Sequence, residues 1–89
     1  MTETAQFSAS ITDIQLESRE GADVRWRMTL SRTEFQPGDT GVLEATSRSG
    51  TRIAVPVLRV VQDSGDIWHI VEKPLAAGTD VTGRVSSRA

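Results

Sequence analysis

Residues 23–31 decide the fold class, and they read Asp-Val-Arg-Trp-Arg-Met-Thr-Leu-Ser. Apolar side chains occupy every second position from Val24 to Leu30, and the positions between them carry arginine or hydroxyl groups. Successive side chains of a strand point to opposite faces, so this period of two is typical of a strand with one buried and one solvated face. The pattern predicts a half-buried strand of an antiparallel sheet.

The preceding segment, Gln6–Leu16, is predicted to be the partner strand of a hairpin. Its apolar residues change parity between Ile11 and Ile14, and a β-bulge near Thr12-Asp13 would return both sets to one face. Residues 17–22 would then supply the turn.

Further strands are predicted at 51–61, 67–72 and 80–85. The first of them contains Pro56, which cannot donate to a ladder, so this strand is expected at a sheet edge or with a bulge. Residues 41–47 favour a strand that leads into a turn over 47–50, with a short helix capped by Asp39 or Thr40 as the alternative.

These segments predict one all-β domain over residues 1–89, a small antiparallel barrel or sandwich of five or six strands. Residues 1–5 and 86–89 are expected to fray. Phe35, close to the Pro37-Gly38-Asp39 turn, is expected to plug one end of the core. The predicted core comprises Phe7, Ile11, Ile14, Leu16, Val24, Trp26, Met28, Leu30, Leu43, Ile53, Val55, Val57, Val60, Ile70, Val71, Val81 and Val85.

Composition narrows the available chemistry. The 89 residues include no cysteine and one histidine, so we expect no disulfide, no cysteine or histidine metal cage and no cofactor. Net charge is −2, although residues 24–62 carry six arginines and three acids. The first residues are polar, and no apolar run approaches the ~20 residues of a membrane span. We therefore expect a cytoplasmic protein that does not enter membranes.

Catalytic motifs are missing from the sequence, and we expect no enzyme activity. Ser64, Asp66 and His69 could be imagined as a triad, but the first two fall in a predicted turn. His69 lies between apolar residues of the same parity, which is typical of a hydrogen-bonded, partly buried strand histidine. The oxygen ligands of residues 63–66 are too few for a calcium loop.

One candidate binding face combines Arg25 and Arg27, which point the same way from one strand, with Arg52 and Trp68. Trp68 is expected to be the one exposed aromatic. Arginines beside an exposed aromatic on a small barrel could track a nucleic-acid backbone. A solvated strand face, with its arginines paired to acids across the sheet, explains the same pattern.

Three stretches resemble small bacteriophage head–tail joining proteins: 35–40 (Phe-Gln-Pro-Gly-Asp-Thr), 52–61 (Arg-Ile-Ala-Val-Pro-Val-Leu-Arg-Val-Val) and 63–68 (Asp-Ser-Gly-Asp-Ile-Trp). The resemblance covers roughly a third of the chain and consists of a turn followed by two strands around a hairpin. It implies a β-barrel or sandwich that packs in rings, an assembly role and a virion-associated location.

The leading functional hypothesis is therefore a non-catalytic interaction or assembly module, of the phage or mobile-element type, that binds a protein partner or itself. Its edge strands would add to neighbouring chains, with the Pro56 strand or the first strand, Gln6–Leu16, as the edge. The alternative is a nucleic-acid-binding small β-barrel that uses the arginine-bearing face.

Overall fold

A computed structural model describes residues 5–46 and 49–87 of the chain. This part is all-β, as predicted, and it contains no helix that could cross a membrane. It has seven strands instead of the predicted five or six. They are β1 (Ala5–Glu20), β2 (Asp23–Leu30), β3 (Thr40–Thr46), β4 (Arg52–Val57), β5 (Arg59–Asp63), β6 (Asp66–Val71) and β7 (Asp80–Ser87).

All seven strands form one antiparallel sheet in the order β4-β3-β7-β1-β2-β6-β5. The sheet is not closed, so the barrel alternative is wrong. Pro56 lies on the edge strand β4, as predicted, and a proline cannot continue a ladder across an edge. At the other edge, the Gly38 amide donates to the Val60 carbonyl at 2.9 Å and occupies that acceptor of β5.

The long strand β1 bends the sheet so that its two halves face each other. Residues 5–10 of β1 pair with β7, and residues 11–20 pair with β2. The register shifts between Ile11 and Asp13, which confirms the predicted bulge, and again between Leu16 and Ser18. Bulges increase local twist and bending. In the strand order β1 lies between β7 and β2, so the prediction of an edge strand at Gln6–Leu16 is wrong, although each half of β1 has its ladder partner on one side only.

The β1–β2 hairpin is longer than predicted, because β1 continues to Glu20 and only Gly21 and Ala22 form the turn. Gly21 has a φ of 58°, which a glycine at the first turn position adopts without steric cost. A second two-residue turn, Ser64-Gly65, joins β5 to β6 with φ values of 53° and 84°.

Residues 40–46 form β3, so the strand prediction is confirmed and the helix alternative is wrong. Its buried residues are Gly41, Leu43 and Ala45, a period of two that a helix cannot satisfy. Residues 47–48 of the predicted turn lie outside the described residues. So do 1–4 and 88–89 of the segments expected to fray, whereas residues 5, 86 and 87 belong to strands.

The predicted strand 51–61 is two strands, β4 and β5, which the single residue Leu58 separates. The Leu58 amide donates to the Ile70 carbonyl of β6 at 2.8 Å. At Leu58 the chain passes from β4, at one end of the strand order, to β5, at the other end. The parity change after Val57 therefore marks a corner at which both edges of the sheet meet.

The core lies between the two halves of the sheet, and most of the predicted core is confirmed. Leu16 and Ile53 are exceptions, since they are 50% and 41% exposed. Leu16 pairs with Trp26 of β2, and Trp26 is at the end of the stretch of β2 that pairs with β6. Leu16 therefore lies at the margin of the second half of the sheet. Ile14, Val24, Trp26 and Leu30 are only partly buried. The buried hydrophobic residues are Phe7, Ile11, Met28, Phe35, Leu43, Ala45, Val55, Val57, Val60, Trp68, Ile70, Val71, Val81 and Val85.

Candidate functional site

Arg27 lies at the centre of the predicted binding face and is already engaged within the fold. Its guanidinium lies 4.3 Å from the centre of the Trp68 ring. Nη2 donates to Oε1 of Gln15 at 2.7 Å, and Nη1 donates to Oδ2 of Asp63 at 3.3 Å. A Glu17 carboxylate oxygen lies 3.8 Å from Nη1. Two carboxylates and one amide oxygen therefore already surround this guanidinium, and its buried Nε has no hydrogen-bond partner among the described residues.

Trp68 is buried, so the expectation that it is the exposed aromatic is wrong. It is 5% exposed, and Ile70, two residues along the same face of β6, is 3% exposed. Ile70 pairs with Arg27 of β2 and with Arg59 of β5 across the sheet. The long stems of arginines can cover apolar surface while their charged ends reach water. The outer face of this half of the sheet therefore carries a second buried apolar cluster beneath Arg27.

The structure separates Arg25 from Arg52, the other two members of the predicted face. Arg25 shares the outer face with Arg27, and its Nη1 lies 4.0 Å from a carboxylate oxygen of Glu72. Arg52 lies on β4, four positions from β2 in the strand order. It borders a small depression together with Glu44 and Arg84, which are themselves paired at 3.0 Å. The predicted face is therefore a pair of arginines, Arg25 and Arg27, without Arg52.

His69 is hydrogen-bonded, as predicted, and it is fully buried where partial burial was expected. Nδ1 lies 2.8 Å from the Met28 carbonyl oxygen, and Nε2 lies 2.8 Å from Oγ1 of Thr33. A carbonyl only accepts, so Nδ1 carries the proton in this pair. Burial lowers the pKa of His69 below its ordinary value, against the raising effect of the Met28 bond. The imidazole is therefore neutral at pH 7, with Nε2 accepting from the Thr33 hydroxyl.

This histidine ties a loop to the sheet. The Thr33 hydroxyl oxygen also accepts from the Phe35 amide at 3.0 Å, and the Phe35 ring packs edge-on against His69 with centroids 5.2 Å apart. Phe35 is 2% exposed, which confirms that it plugs the core. Both ring nitrogens of His69 are used, so the geometry gives it a structural role.

Asp39 is a buried polar residue, and the sequence predicted its place in a turn but not its burial. It is 1% exposed, and its Oδ2 accepts from the Gln36 amide at 2.8 Å while its own amide donates to the Gln36 carbonyl at 2.9 Å. The turn between them contains Gly38 with a φ of 93°. A side-chain oxygen that caps its own turn is the usual role of aspartate beside Pro-Gly, and that motif was the available signal.

A group of exposed apolar residues lies where β4 turns into β5. We call the residues Ala54, Pro56 and Leu58 the apolar corner, and Ile53 lies on the opposite face of β4. Ile53 is 41% and Leu58 37% exposed, and Ala54 and Pro56 are also exposed. Apolar residues of both parities in a proline-containing edge strand were the sequence signal for this surface.

A cleft of about 230 Å³ opens at the apolar corner. Ala54, Pro56 and Leu58 line its apolar side, and Glu72 and Lys73, just after β6, line its charged rim. A concave apolar surface with a few polar groups at its margin is typical of a binding site.

A second depression, of about 610 Å³, is shallow and polar. Hydroxyl groups dominate its lining, and Glu44 and Asp80 add carboxylates. Oγ of Ser10 donates to Oδ1 of Asp80 at 2.7 Å. In the described ranges, no group of three or more histidine, aspartate or glutamate side chains is placed to hold a metal ion.

The geometry therefore presents an apolar corner with a charged rim, two arginines that contact acids on the outer face, and a buried neutral histidine. No protein-family model matches the chain, and no curated protein matches it in sequence.

Proposed function

We propose that the protein is a non-catalytic interaction module whose docking surface for another protein chain is the apolar corner. One observation carries the proposal: Leu58, one of the three large exposed hydrophobic residues in the described part of the chain, lines a concave cleft together with the exposed Ala54 and Pro56. Single exposed hydrophobic residues are ordinary on protein surfaces, but grouped ones beside a cleft mark interaction sites.

Side chains, more than backbone, would hold the docked chain. The free edge of β4 contains Pro56, which has no amide proton, so the row of donors along this edge is interrupted. Prolines on edge strands are a common device against uncontrolled sheet extension. A partner would therefore place apolar side chains in the cleft instead of adding a continuous strand.

An assembly role is the natural setting for such a module, and the resemblance to head–tail joining proteins points the same way. A small domain that holds one neighbour through a preformed apolar surface needs no chemistry of its own. The buried His69 and the paired Arg27 are accounted for by the fold, which leaves the apolar corner as the surface that the fold itself does not explain.

Site-specific photo-crosslinking in the cells that naturally produce the protein tests this proposal. A photoreactive residue at Ala54, inside the cleft, should give one protein adduct of defined mass. The same residue at Asp66, an exposed position in another hairpin, is the matched control and should give none. Leu58→Glu should abolish the Ala54 adduct. A lack of any adduct at Ala54, or an adduct that Leu58→Glu leaves unchanged, would overturn the proposal.

Nucleic-acid binding is the weaker proposal. Arg27 is held by Gln15, Asp63 and Trp68, and Arg25 faces Glu72, so binding would have to break existing contacts. Titration with single- and double-stranded oligonucleotides at low salt tests it. The binding constant should then fall as salt is added, and log K should fall by about 0.7 to 0.9 per phosphate contact for each unit of log salt concentration. Such a dependence would favour a nucleic-acid role over a protein partner.

A further inference from the structure

We infer that the occupant of the apolar corner is a second copy of this chain, docked across a two-fold axis. The inference rests on the proposed function, since it names the partner of the same surface. It follows from the way charge is arranged at the rim of the cleft.

A two-fold interface uses the same patch on both copies, so the patch must complement itself. A rim with charges of one sign would repel its own copy. The rim here has one acid and one base in consecutive positions, Glu72 and Lys73. We place the two-fold axis so that Glu72 of each copy lies opposite Lys73 of the other, with Pro56 and Leu58 packed between the two pairs.

Both rim residues are available for these contacts. The Glu72 side chain is 60% exposed, and its distance from Arg25 is 4.0 Å, at the limit of an ion pair. Exposed pairs of this kind contribute little to stability, so Glu72 can change partner at little cost. Lys73 is exposed and forms no ion pair with any residue in the described ranges.

The dimer is expected to be weak and reversible. Stable interfaces bury about 1,200–2,000 Å² in total, which the small patch of corner and rim residues reaches only together with its surroundings. Exposed charges at a rim contribute more to specificity than to affinity. We therefore expect self-association with a dissociation constant on the order of micromolar.

Charge reversal tests the pairing directly by sedimentation of the purified protein over a range of concentrations. Glu72→Lys places two lysines opposite two lysines, and Lys73→Glu places two glutamates opposite two glutamates, so each variant alone should dimerise about tenfold or more weakly than the parent. An equimolar mixture of the two variants restores every opposite-charge pair and should recover the dimer. Asp66→Lys, a charge reversal on another hairpin, is the control and should dimerise like the parent.

The possible outcomes are distinct. Loss of the dimer in each single variant, with recovery in the mixture, supports the inference. A parent protein that remains monomeric at millimolar concentration overturns it, and so does a mixture that stays monomeric while the parent dimerises. If the parent is monomeric but the Ala54 crosslink captures a different protein, the second copy is excluded and the interaction module stands. If no crosslink forms at all, both proposals fail.

Discussion

The guanidinium of Arg27 lies 4.3 Å from the centre of the Trp68 ring and covers it from solvent. This contact links β2 to β6 on the outer face of the sheet, away from the main core. It explains how a tryptophan outside the main core can be only 5% exposed. It also means that the arginine and the aromatic expected to form a binding face bind each other.

Removal of Arg27 should expose Trp68 and destabilise the domain. Arg27→Ala deletes the stacked cation and its bonds to Gln15 and Asp63, and we expect a loss of about 1–3 kcal/mol in the free energy of unfolding. Urea unfolding, followed by tryptophan fluorescence in a Trp26→Phe background, would measure it. The folded-state emission of Trp68 should also shift to longer wavelength.

Arg25→Ala is the matched control for this experiment, since Arg25 lies on the same face and makes only a 4.0 Å pair with Glu72. Its loss should change stability by about 0.5 kcal/mol or less. Equal effects from the two substitutions would show that Arg27 has no special role over Trp68.

Two leucines with opposite exposure test the placement of the core. Leu43 is 0% exposed and Leu16 is 50% exposed. Leu43→Ala should cost about 2–5 kcal/mol, because it leaves a cavity between the two halves of the sheet. Leu16→Ala removes a side chain that is half in water and should cost about 1 kcal/mol or less. Denaturant midpoints of the two variants provide the comparison, and a larger loss at Leu16 would contradict the structure.

Gly83 leaves room for the ring of Phe7, its cross-strand partner. A Cβ added at Gly83 would come within 2.5 Å of Cζ of Phe7. Gly83→Ala should therefore destabilise the domain by about 1–3 kcal/mol through overpacking. Adding Phe7→Leu should recover part of this loss, because the shorter side chain vacates the space, and a thermal melt of single and double variants would show it.

Gly41 offers the contrasting case for the same rescue. A Cβ at Gly41 would meet the backbone carbonyl oxygen of Arg84 as well as the ring of Phe35. Backbone of a paired strand cannot move aside, so Phe35→Leu should not rescue Gly41→Ala. Rescue of Gly41→Ala by Phe35→Leu would show that the Arg84 carbonyl does not approach Gly41 as the structure describes.

Acid should weaken the fold through His69. Burial lowers the pKa of this residue from 6.5, so at pH values just below 6.5 the unfolded chain binds the proton and the folded chain does not. The contribution of His69 to stability is therefore complete above pH 6.5 and declines as the pH falls below it. Urea unfolding at several values between about pH 7.5 and 5 would measure the decline.

His69→Gln separates this effect from the carboxylates, which titrate in both proteins. The variant should be less stable at neutral pH, because the Met28 and Thr33 bonds are altered, and its stability should depend less on pH over the same range. An identical pH dependence in the two proteins would refute the role assigned to His69.

The sequence by itself determined the local elements of this protein. The strand over Asp23–Leu30 and the bulge after Ile11 were predicted correctly, and the edge position of Pro56 was one of the two alternatives predicted. Each depends on the geometry of a single strand, in which neighbouring side chains point to opposite faces and a proline lacks a donor. For residues 41–47 the sequence favoured a strand and left a short helix as the alternative, and the alternating burial in the structure decided for the strand.

Only the tertiary structure decided which faces are covered. The order of the strands, the break at Leu58 and the exposure of Leu16 and Ile53 depend on pairings between distant parts of the chain. Arg27 and Asp63, which meet above Trp68, are 36 residues apart. The cleft at the apolar corner likewise brings residues of β4 together with Glu72 and Lys73. Periodicity shows that a strand has an apolar face, but only the folded sheet decides whether that face meets the core, an arginine or water.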